Sequence, residues 1–579
     1  MMKKSLRFKT VYTATVILTL LLTTFIGVCG SPQSEAATAV QPSSTAWSFG
    51  VMGDTQWTLT TDPAGNNPSG VSVSIIDQIN QQFINKGVKF VIQVGDLTEN
   101  GSDAAIASRA IASQALYDAG IEFFPMRGNH ETKGGTANGY AIAAFQKNFP
   151  QTKCLSNTFG AANCNSPSSV SSDLTGMSYS FDYGPVGSNA RFVIIDNWAT
   201  PSKRVDAAGY SYGYSISDQQ SWINSRLDKN TRGARHVFVF SHQPLIAENH
   251  QDSLFSGYTN ANQDMQNAFL YNLQDNNAKY FISGHDHIHQ RSIITSPDGI
   301  SKIQELICAS NSSKFYAPKP LTDSKWYGQK SRETSISQEL QTVGYYIFTV
   351  DGPRVTVDFY SDDHGGWLSD EEYPTATGTG NGLTNKITPT FNFVKKATWG
   401  YSLNGKEFLV GGTNGTSYTI VQDGFGKTSA KILSGTYSNK ATDYNGRILT
   451  QTVDTGWSPK TKGINSDIFT LWGMAGLGTR QTDVFMLSLS YDHDSVNNEE
   501  LKHGLFGLVT KDTQGNWVNA EDKNFGGKKK FVYGRWLPGY ELGTYGVDPH
   551  TKTVWAVINY NGDFAVAKFN EKHQERHKE

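Results

Sequence analysis

Between residues 45 and 372, short apolar runs alternate with segments whose apolar residues recur at helical spacing. The runs at 49–52, 90–94, 123–126, 237–240 and 280–282 are rich in aromatic and β-branched residues, the composition of strands buried on both faces. Between them, Val71, Ile75, Ile76, Ile79, Phe83 and Ile84 share one helical face that stops at Gly87, and a second helix is predicted over 103–119, stopping at Gly120. Ser217-Asp-Gln-Gln220 has capping-box spacing ahead of Trp222, Ile223 and Leu227. Strand, helix and strand in succession predict an α/β unit with a mostly parallel inner sheet. A hairpin at 345–350 and 355–360 around Asp351-Gly-Pro closes it.

Beyond this unit the pattern changes. Residues 373–389 contain Thr-Ala-Thr-Gly-Thr-Gly-Asn-Gly and read as a flexible linker. From 390 to 579, runs such as 418–421, 484–491, 505–509 and 554–560 are divided by Gly, Asn, Asp and Lys turns, with no helical periodicity. This predicts a separate all-β accessory domain, a sandwich rather than a propeller, because no fixed-period repeat runs through it. Trp399, Trp457, Trp472, Trp517, Trp536 and Trp555 fall in this region. Core packing is their expected role and stacking on sugars, in surface or glycan attachment, the alternative.

The N-terminus has a different design. Lys3, Lys4, Arg7 and Lys9 precede an apolar stretch at 16–28, and Ala37-Thr-Ala39 offers a cleavage site, so 1–39 is expected to be a secretory signal peptide. Retention as a signal anchor and lipidation at Cys29 are the alternatives; Val28 is bulky for the residue ahead of a lipidated cysteine. The mature chain is then secreted, periplasmic or on the cell surface. Cys154 and Cys164 flank a polar loop and are expected to pair in an oxidising compartment, a closure contributing about 2–3 kcal/mol. Cys308, in the apolar run 306–309, is expected to be a buried, inert thiol. The net charge of −2 argues against a nucleic-acid scaffold or a polybasic membrane binder. The Lys528-Lys529-Lys530 run reads as a solvated turn.

All five apolar runs end on residues able to ligate a metal: Gly53-Asp54-Thr55-Gln56, Gly95-Asp96, Gly128-Asn129-His130-Glu131, Ser241-His242-Gln243-Pro244 and Gly284-His285-Asp286-His287. Singly, each is a sharp turn capped by a polar residue. As a set, they gather oxygen and nitrogen donors at strand ends, an arrangement able to hold two divalent cations and suited to phosphate-ester hydrolysis.

In this order the blocks resemble the calcineurin-like metallophosphoesterase family over about 49–360. The resemblance implies a β-sandwich flanked by helices. It places Asp54, Gln56 and His287 at a first metal, Asn129, His242 and His285 at a second, and Asp96 across both. It also implies a shared hydroxide as nucleophile and His130 as the acid that protonates the leaving oxygen. The family has His where Gln56 stands; an amide is the weaker ligand, which implies a looser first site or a preference for Mn, Fe or Mg over Zn. Glu99 occupies the position of the tyrosine of purple acid phosphatases, so a purple iron site is not expected.

Three residues are secondary substrate-binding candidates. Arg127 either binds phosphate or pairs with a carboxylate beneath the site, Asn197 ends the run 191–195 near the pocket, and His289 either orients a ligand or is idle. The insertion at 150–176 and the loop at 311–341 are expected to shape access. Neither segment contains a phosphate-cradling P-loop. The expected function is an exported dinuclear-metal hydrolase of phosphomonoesters or phosphodiesters. The alternative is a cell-surface binding protein whose phosphoesterase fold has lost its chemistry, with Gln56 as its argument.

Overall fold

The computed structural model describes residues 46–58, 62, 65–132, 141–155, 160–198, 215–250, 253–255, 263–322, 330–362, 390–403, 417–421, 427–434, 443–447, 454–458, 462–472 and 481–569. The predicted leader with Cys29 and the 373–389 linker lie outside them. Among the described residues, no helix is long and apolar enough to cross a membrane.

Strand β1 (Trp47–Met52) leads through α1 (Val73–Lys86) to β2 (Phe90–Gln93), then through α2 (Asp103–Ile111) and α3 (Gln114–Asp118) to β3 (Glu122–Pro125). These three strands are parallel neighbours. The chain continues through α4 (Ile142–Asn148) into β4 (Ala162–Asn165), β5 (Tyr179–Tyr183) and β6 (Ala190–Ile195). Helix α5 (Ser215–Leu227), β7 (His236–Ser241), α6 (Gln263–Asp275) and β8 (Tyr280–Ser283) follow. Then come β9 (His289–Thr295), β10 (Lys302–Ile307) and β11 (Glu333–Glu339). The hairpin β12 (Gly344–Asp351) and β13 (Arg354–Asp362) returns to β1.

The single inner sheet of the sequence reading is two sheets, ordered β14-β13-β12-β1-β2-β3 and β11-β9-β10-β8-β7-β6-β5-β4, where β14 is Phe393–Ser402. Runs apolar on both faces satisfy either arrangement. Between the sheets lies an aromatic core, in which Phe49 stacks on Phe348 at 4.8 Å and meets Phe192 and Phe238 edge-on at 4.9 and 5.1 Å. Helices α1 to α4 cover the outer face of the first sheet through Ile75, Ile79, Phe83, Ile106, Leu116 and Phe145. Helices α5 and α6 cover the second through Ile223, Leu227, Phe269 and Leu273. The layering is therefore helix, sheet, sheet, helix.

Local differences have local causes. The helix predicted over 103–119 divides into α2 and α3, where the Ser113 hydroxyl donates to the Arg109 carbonyl and accepts from its guanidinium. Ser217 does not cap α5, which already begins at Ser215; Gln219 donates instead to the Asp196 carbonyl at 3.0 Å. Cys154 and Cys164 are disulfide-bonded and Cys308 is a buried free thiol.

The strand β14, on the far side of the predicted linker, pairs with β13 in the first sheet. Trp399 and Tyr401, two residues apart, enter the inter-sheet core, with the Arg291 guanidinium 3.9 Å from the Trp399 ring centroid. Trp399 is thus a core residue of the N-terminal unit rather than of the accessory domain.

The C-terminal region forms two further sheets. One runs β15 (Ser417–Val421), β16 (Lys427–Ser434), then the strands at Gln481–Ser490, Thr553–Tyr560, Thr544–Asp548 and Lys530–Tyr533. The other contains the strands at Asp454–Ser458, Ile468–Trp472, Gly562–Lys568, Phe506–Lys511 and Trp517–Asn519. Phe485, Leu487, Val554 and Ala556 of one pack against Phe506, Leu508, Phe564 and Val566 of the other, the predicted sandwich. A short α-helix, Asn498–Lys502, interrupts the all-β pattern behind an Asn497/Glu500 capping box. Trp555 is buried, Trp517 and Trp536 are half-buried, and the side chains of Trp457 and Trp472 lie outside the described part.

Candidate metal centre

β1, β2 and β3 of the first sheet and β7 and β8 of the second deliver their trailing residues to one cluster. Asp54, Gln56, Asp96, His242, His285 and His287 are all buried there. The His285 backbone N–H donates to the Asp54 carboxylate at 3.1 and 3.3 Å, tying the end of β8 to the end of β1. Asp96 Oδ1 accepts the His130 N–H at 2.9 Å and lies 3.3 Å from His242 Nε2. Gln56 Nε2 lies 3.1 Å from both Asp96 Oδ2 and His287 Nε2.

Backbone carbonyls orient two of the imidazoles. His242 Nδ1 donates to Val94 O at 2.8 Å, and His287 Nδ1 to Lys314 O at 2.7 Å. In each ring this leaves Nε2 to face the carboxylates, the arrangement a ligating histidine requires. Burial and nearby Lys314 push His287 well below the ordinary histidine range, so it is neutral and its lone pair is available. Burial also acts to lower His242, but Asp96 outweighs it and pushes the group up to about 10. Burial raises Asp54 to about 7. Two buried carboxylates close together call for positive charge, which a proton on His242 partly supplies and a divalent cation would supply in full.

The backbone is bent to make this geometry. Asp96, His285 and His287 have φ of 45°, 75° and 54°, a region L-residues seldom occupy outside functional sites. Gly95 is needed because a Cβ there would sit 2.7 Å from His242 Cγ.

The donor set fits a pair of cations on three counts. Asp96, His242 and His285 form one convergent triad, and Asp54, Asp96 and His287 another, with Asp96 common to both. The Asn129 amide end lies 3.1 Å from both His285 Nδ1 and His242 Nε2, and 3.3 Å from each Asp96 oxygen. With its NH2 turned this way the amide can donate to these acceptors, and a cation held among them would draw the amide oxygen there instead. Finally, Gln56 Oε1 is buried with no hydrogen-bond partner, an orphan acceptor beside the second triad.

Residues 48–289 match the family model of the calcineurin-like phosphoesterases. The matched segment contains every strand end just described and stops at the first residue of β9. No curated protein matches the chain. Among solved structures, the chain is similar to a dimetal phosphatase from Danio rerio, at 15% identity over 60% of this chain and 100% of that one, with a TM-score of 0.33. It is similar to a purple acid phosphatase from yellow lupin (Lupinus luteus) seeds at 14% identity over 55% and 52%, with a TM-score of 0.36. It is also similar to the Plasmodium protein GAP50, the anchor in the inner membrane complex, at 16% identity over 55% and 86%, with a TM-score of 0.33.

The other candidates of this unit separate clearly. His130 is buried beside Asp96, with Nδ1 donating to Glu99 O at 2.8 Å and Nε2 3.8 Å from Asp96 Oδ2. Arg127 makes a two-pronged ion pair with Asp196 at 2.9 and 3.0 Å, the structural alternative of the sequence reading. Asn197 Nδ2 donates to Gln243 at 2.9 Å and its oxygen accepts from Ser241, bracing the residues on either side of His242.

His289 belongs to the inter-sheet core. It stacks on Phe359 at 4.0 Å, and its Nδ1 lies 2.8 Å from the Tyr346 hydroxyl. Burial holds it neutral, well below the ordinary range. His289→Leu is therefore expected to cost about 1–3 kcal/mol of stability and to leave metal affinity unchanged, as thermal denaturation and manganese titration would show.

The sequence reading missed His250, Asp286 and Tyr316. Asp286 accepts from the backbone N–H of Asn249 at 3.2 Å and of His250 at 3.1 Å, and lies 2.7 Å from His250 Nδ1. The His250 ring is 4.1 Å from that of His285, and Tyr316 meets His250 and His287 edge-on at 4.5 and 5.2 Å. The only signal was the Asp inside Gly-His-Asp-His, which turns away from the ligands on either side of it.

Proposed function

We propose that this chain is an exported phosphoesterase that hydrolyses phosphomonoesters or phosphodiesters with the help of two divalent cations. The observation that carries the reading is a pair of ligand triads sharing the single carboxylate of Asp96. Asp54, Gln56 and His287 would hold one cation and Asn129, His242 and His285 the other, with Asp96 on both. Such a pair supplies charge neutralisation of the phosphoryl oxygens and a water more acidic than bulk. Oxygen and imidazole ligands without thiolate suit Mn, Fe, Zn or Mg.

The remaining chemistry falls to His130. Its Nδ1 is held by Glu99 O, and the Glu99 carboxylate oxygen lies 3.2 Å from the same nitrogen. Its Nε2 edge faces the bridging carboxylate, a position from which it can deliver a proton to a leaving oxygen. The leader expected at 1–39 from its sequence supports export, and the C-terminal sandwich is read as an attachment or targeting module.

The test is hydrolysis of mono- and bis-nitrophenyl phosphate by the full chain from Val40, stripped of metal and then reloaded with Mn, Fe, Zn or Mg. Turnover should appear only after reloading, and the diester-to-monoester ratio assigns the subclass. A folded, metal-loaded chain that turns over neither ester would overturn the reading in favour of the binding-protein alternative.

A further inference from the structure

The turn at 443–447 comes from the C-terminal region, yet it docks on the phosphoesterase unit. Asp443 and Arg447 close it on themselves through an Nε–Oδ2 pair at 2.6 Å and a backbone bond at 2.9 Å. The Tyr444 N–H then donates to Gln338 Oε1 at 2.7 Å, Asn445 Nδ2 donates to Lys319 O at 3.0 Å, and Arg447 Nη1 donates to Glu333 Oε2 at 2.8 Å. Lys319 lies in the loop that follows β10, and Glu333 and Gln338 lie in β11.

What Arg447 reaches is a buried group of charges. Lys330 Nζ pairs with Glu248 and, at 2.7 Å, with Glu333. Glu248, Glu333 and Lys330 are all buried, so two acids share one lysine away from solvent unless Arg447 joins them. Burial acts to raise Glu333, but Lys330 and Arg447 hold it below the ordinary carboxylate range.

Two routes lead from this group to the metal ligands. Along the first, the Glu248 N–H donates to Asp286, the residue between His285 and His287, and Asp286 in turn fixes His250 against the His285 ring. Along the second, the Lys319 N–H donates to Glu248 O at 2.8 Å and Asn249 Nδ2 to Ala317 O at 2.6 Å. These bonds anchor the segment that carries Lys314 O and Tyr316 against His287.

We propose that the 443–447 turn is a positioning element of the metal centre, with Arg447 as the residue through which the C-terminal region sets the geometry of His285 and His287. This rests on the two-cation reading above. The phosphoesterase unit is then incomplete without a segment lying well beyond its hairpin, and docking of that segment becomes a point at which the C-terminal region controls metal loading.

The experiment is calorimetric titration of the full metal-free chain with manganese, beside thermal denaturation. Arg447→Met keeps the aliphatic stem and removes the charge, and is expected to weaken manganese binding about 10–100-fold, the range for lost outer-shell partners. Asn445→Ala removes only the bond to Lys319 and is expected to weaken it by a few-fold. Lys395→Ala, which breaks a half-buried pair with Asp358 elsewhere in the first sheet, is expected to change nothing. Wild-type affinity in a folded Arg447→Met chain, whatever its melting temperature, overturns the proposal. If that variant does not fold, wild-type affinity in Asn445→Ala overturns it instead. Failure of the wild-type chain itself to bind manganese would show as a flat titration and strike the two-cation reading directly.

Discussion

Asp96→Asn is expected to abolish metal-dependent phosphoester hydrolysis, with kcat/KM falling about a thousandfold or more, equivalent to a loss of roughly 4 kcal/mol of transition-state stabilisation. The size follows from position. Asp96 is the one residue common to both triads, so its charge would serve both cations. The amide is also a poor fit to its surroundings. His130 N–H and Gln56 Nε2 both donate to this carboxylate, one at each oxygen. An Asn must turn its own NH2 toward one of them, and that donor-to-donor contact disturbs either His130 or Gln56. Asp54 is a member of one triad only, so Asp54→Asn should retain one manganese equivalent where Asp96→Asn retains none. Binding of two equivalents by Asp96→Asn, or activity within tenfold of wild type, would remove Asp96 from the bridging position.

The parts of this site legible in the sequence are those whose chemistry is written next to a strand end. Asp54, Asp96, Asn129, His242, His285 and His287 each follow an apolar run within a few residues, so local pattern and ligand type coincide. His289 shows the limit of that rule. It follows the same run as His287, but the left-handed turn at His287 ends there and β9 begins, so alternation sends His289 into the inter-sheet core. The partners that orient the ligands were not legible. Val94 O and Lys314 O are backbone carbonyls, which no side-chain pattern encodes, and Asp286 works on the face turned away from the ligands.

Long-range pairing was equally hidden. The alternation of Trp399 and Tyr401 marks a strand but not its partner, and the Gly-rich stretch before it suggested a domain boundary that β14 crosses. Arg447 had no signal at all, because its meaning depends on three acids that lie far from it in sequence or within its own turn.

Gly128→Ala should be the most damaging change that leaves every candidate ligand in place. A Cβ at this position would lie 2.8 Å from Asp96 Cγ and collide with the Asp96 backbone nitrogen and Oδ1. Asp96 has little room to retreat. Its backbone is already in the left-handed region, its carbonyl accepts the Thr55 N–H at 2.8 Å, and its carboxylate is held by His130 N–H. The strand end carrying residue 128 must move instead, and its attachments are specific. Gly128 N–H donates to Glu131 Oε2 at 2.8 Å, while the other Glu131 oxygen accepts the Thr98 N–H at 2.9 Å. Displacing this turn therefore shifts Asn129 and His130 together relative to Asp96. The expected overpacking cost is about 1–3 kcal/mol, with manganese affinity falling about 100-fold or more because ligand and bridging carboxylate no longer converge. Gly87→Ala separates strain from site geometry. At Gly87 the φ of 63° disfavours alanine by about 1 kcal/mol, yet a Cβ there meets nothing within 4 Å. That variant should lose comparable stability with wild-type manganese affinity. Equal affinities in the two variants would mean that Gly128 serves only the turn, and that the close approach of β2 and β3 at Asp96 is not what builds the centre.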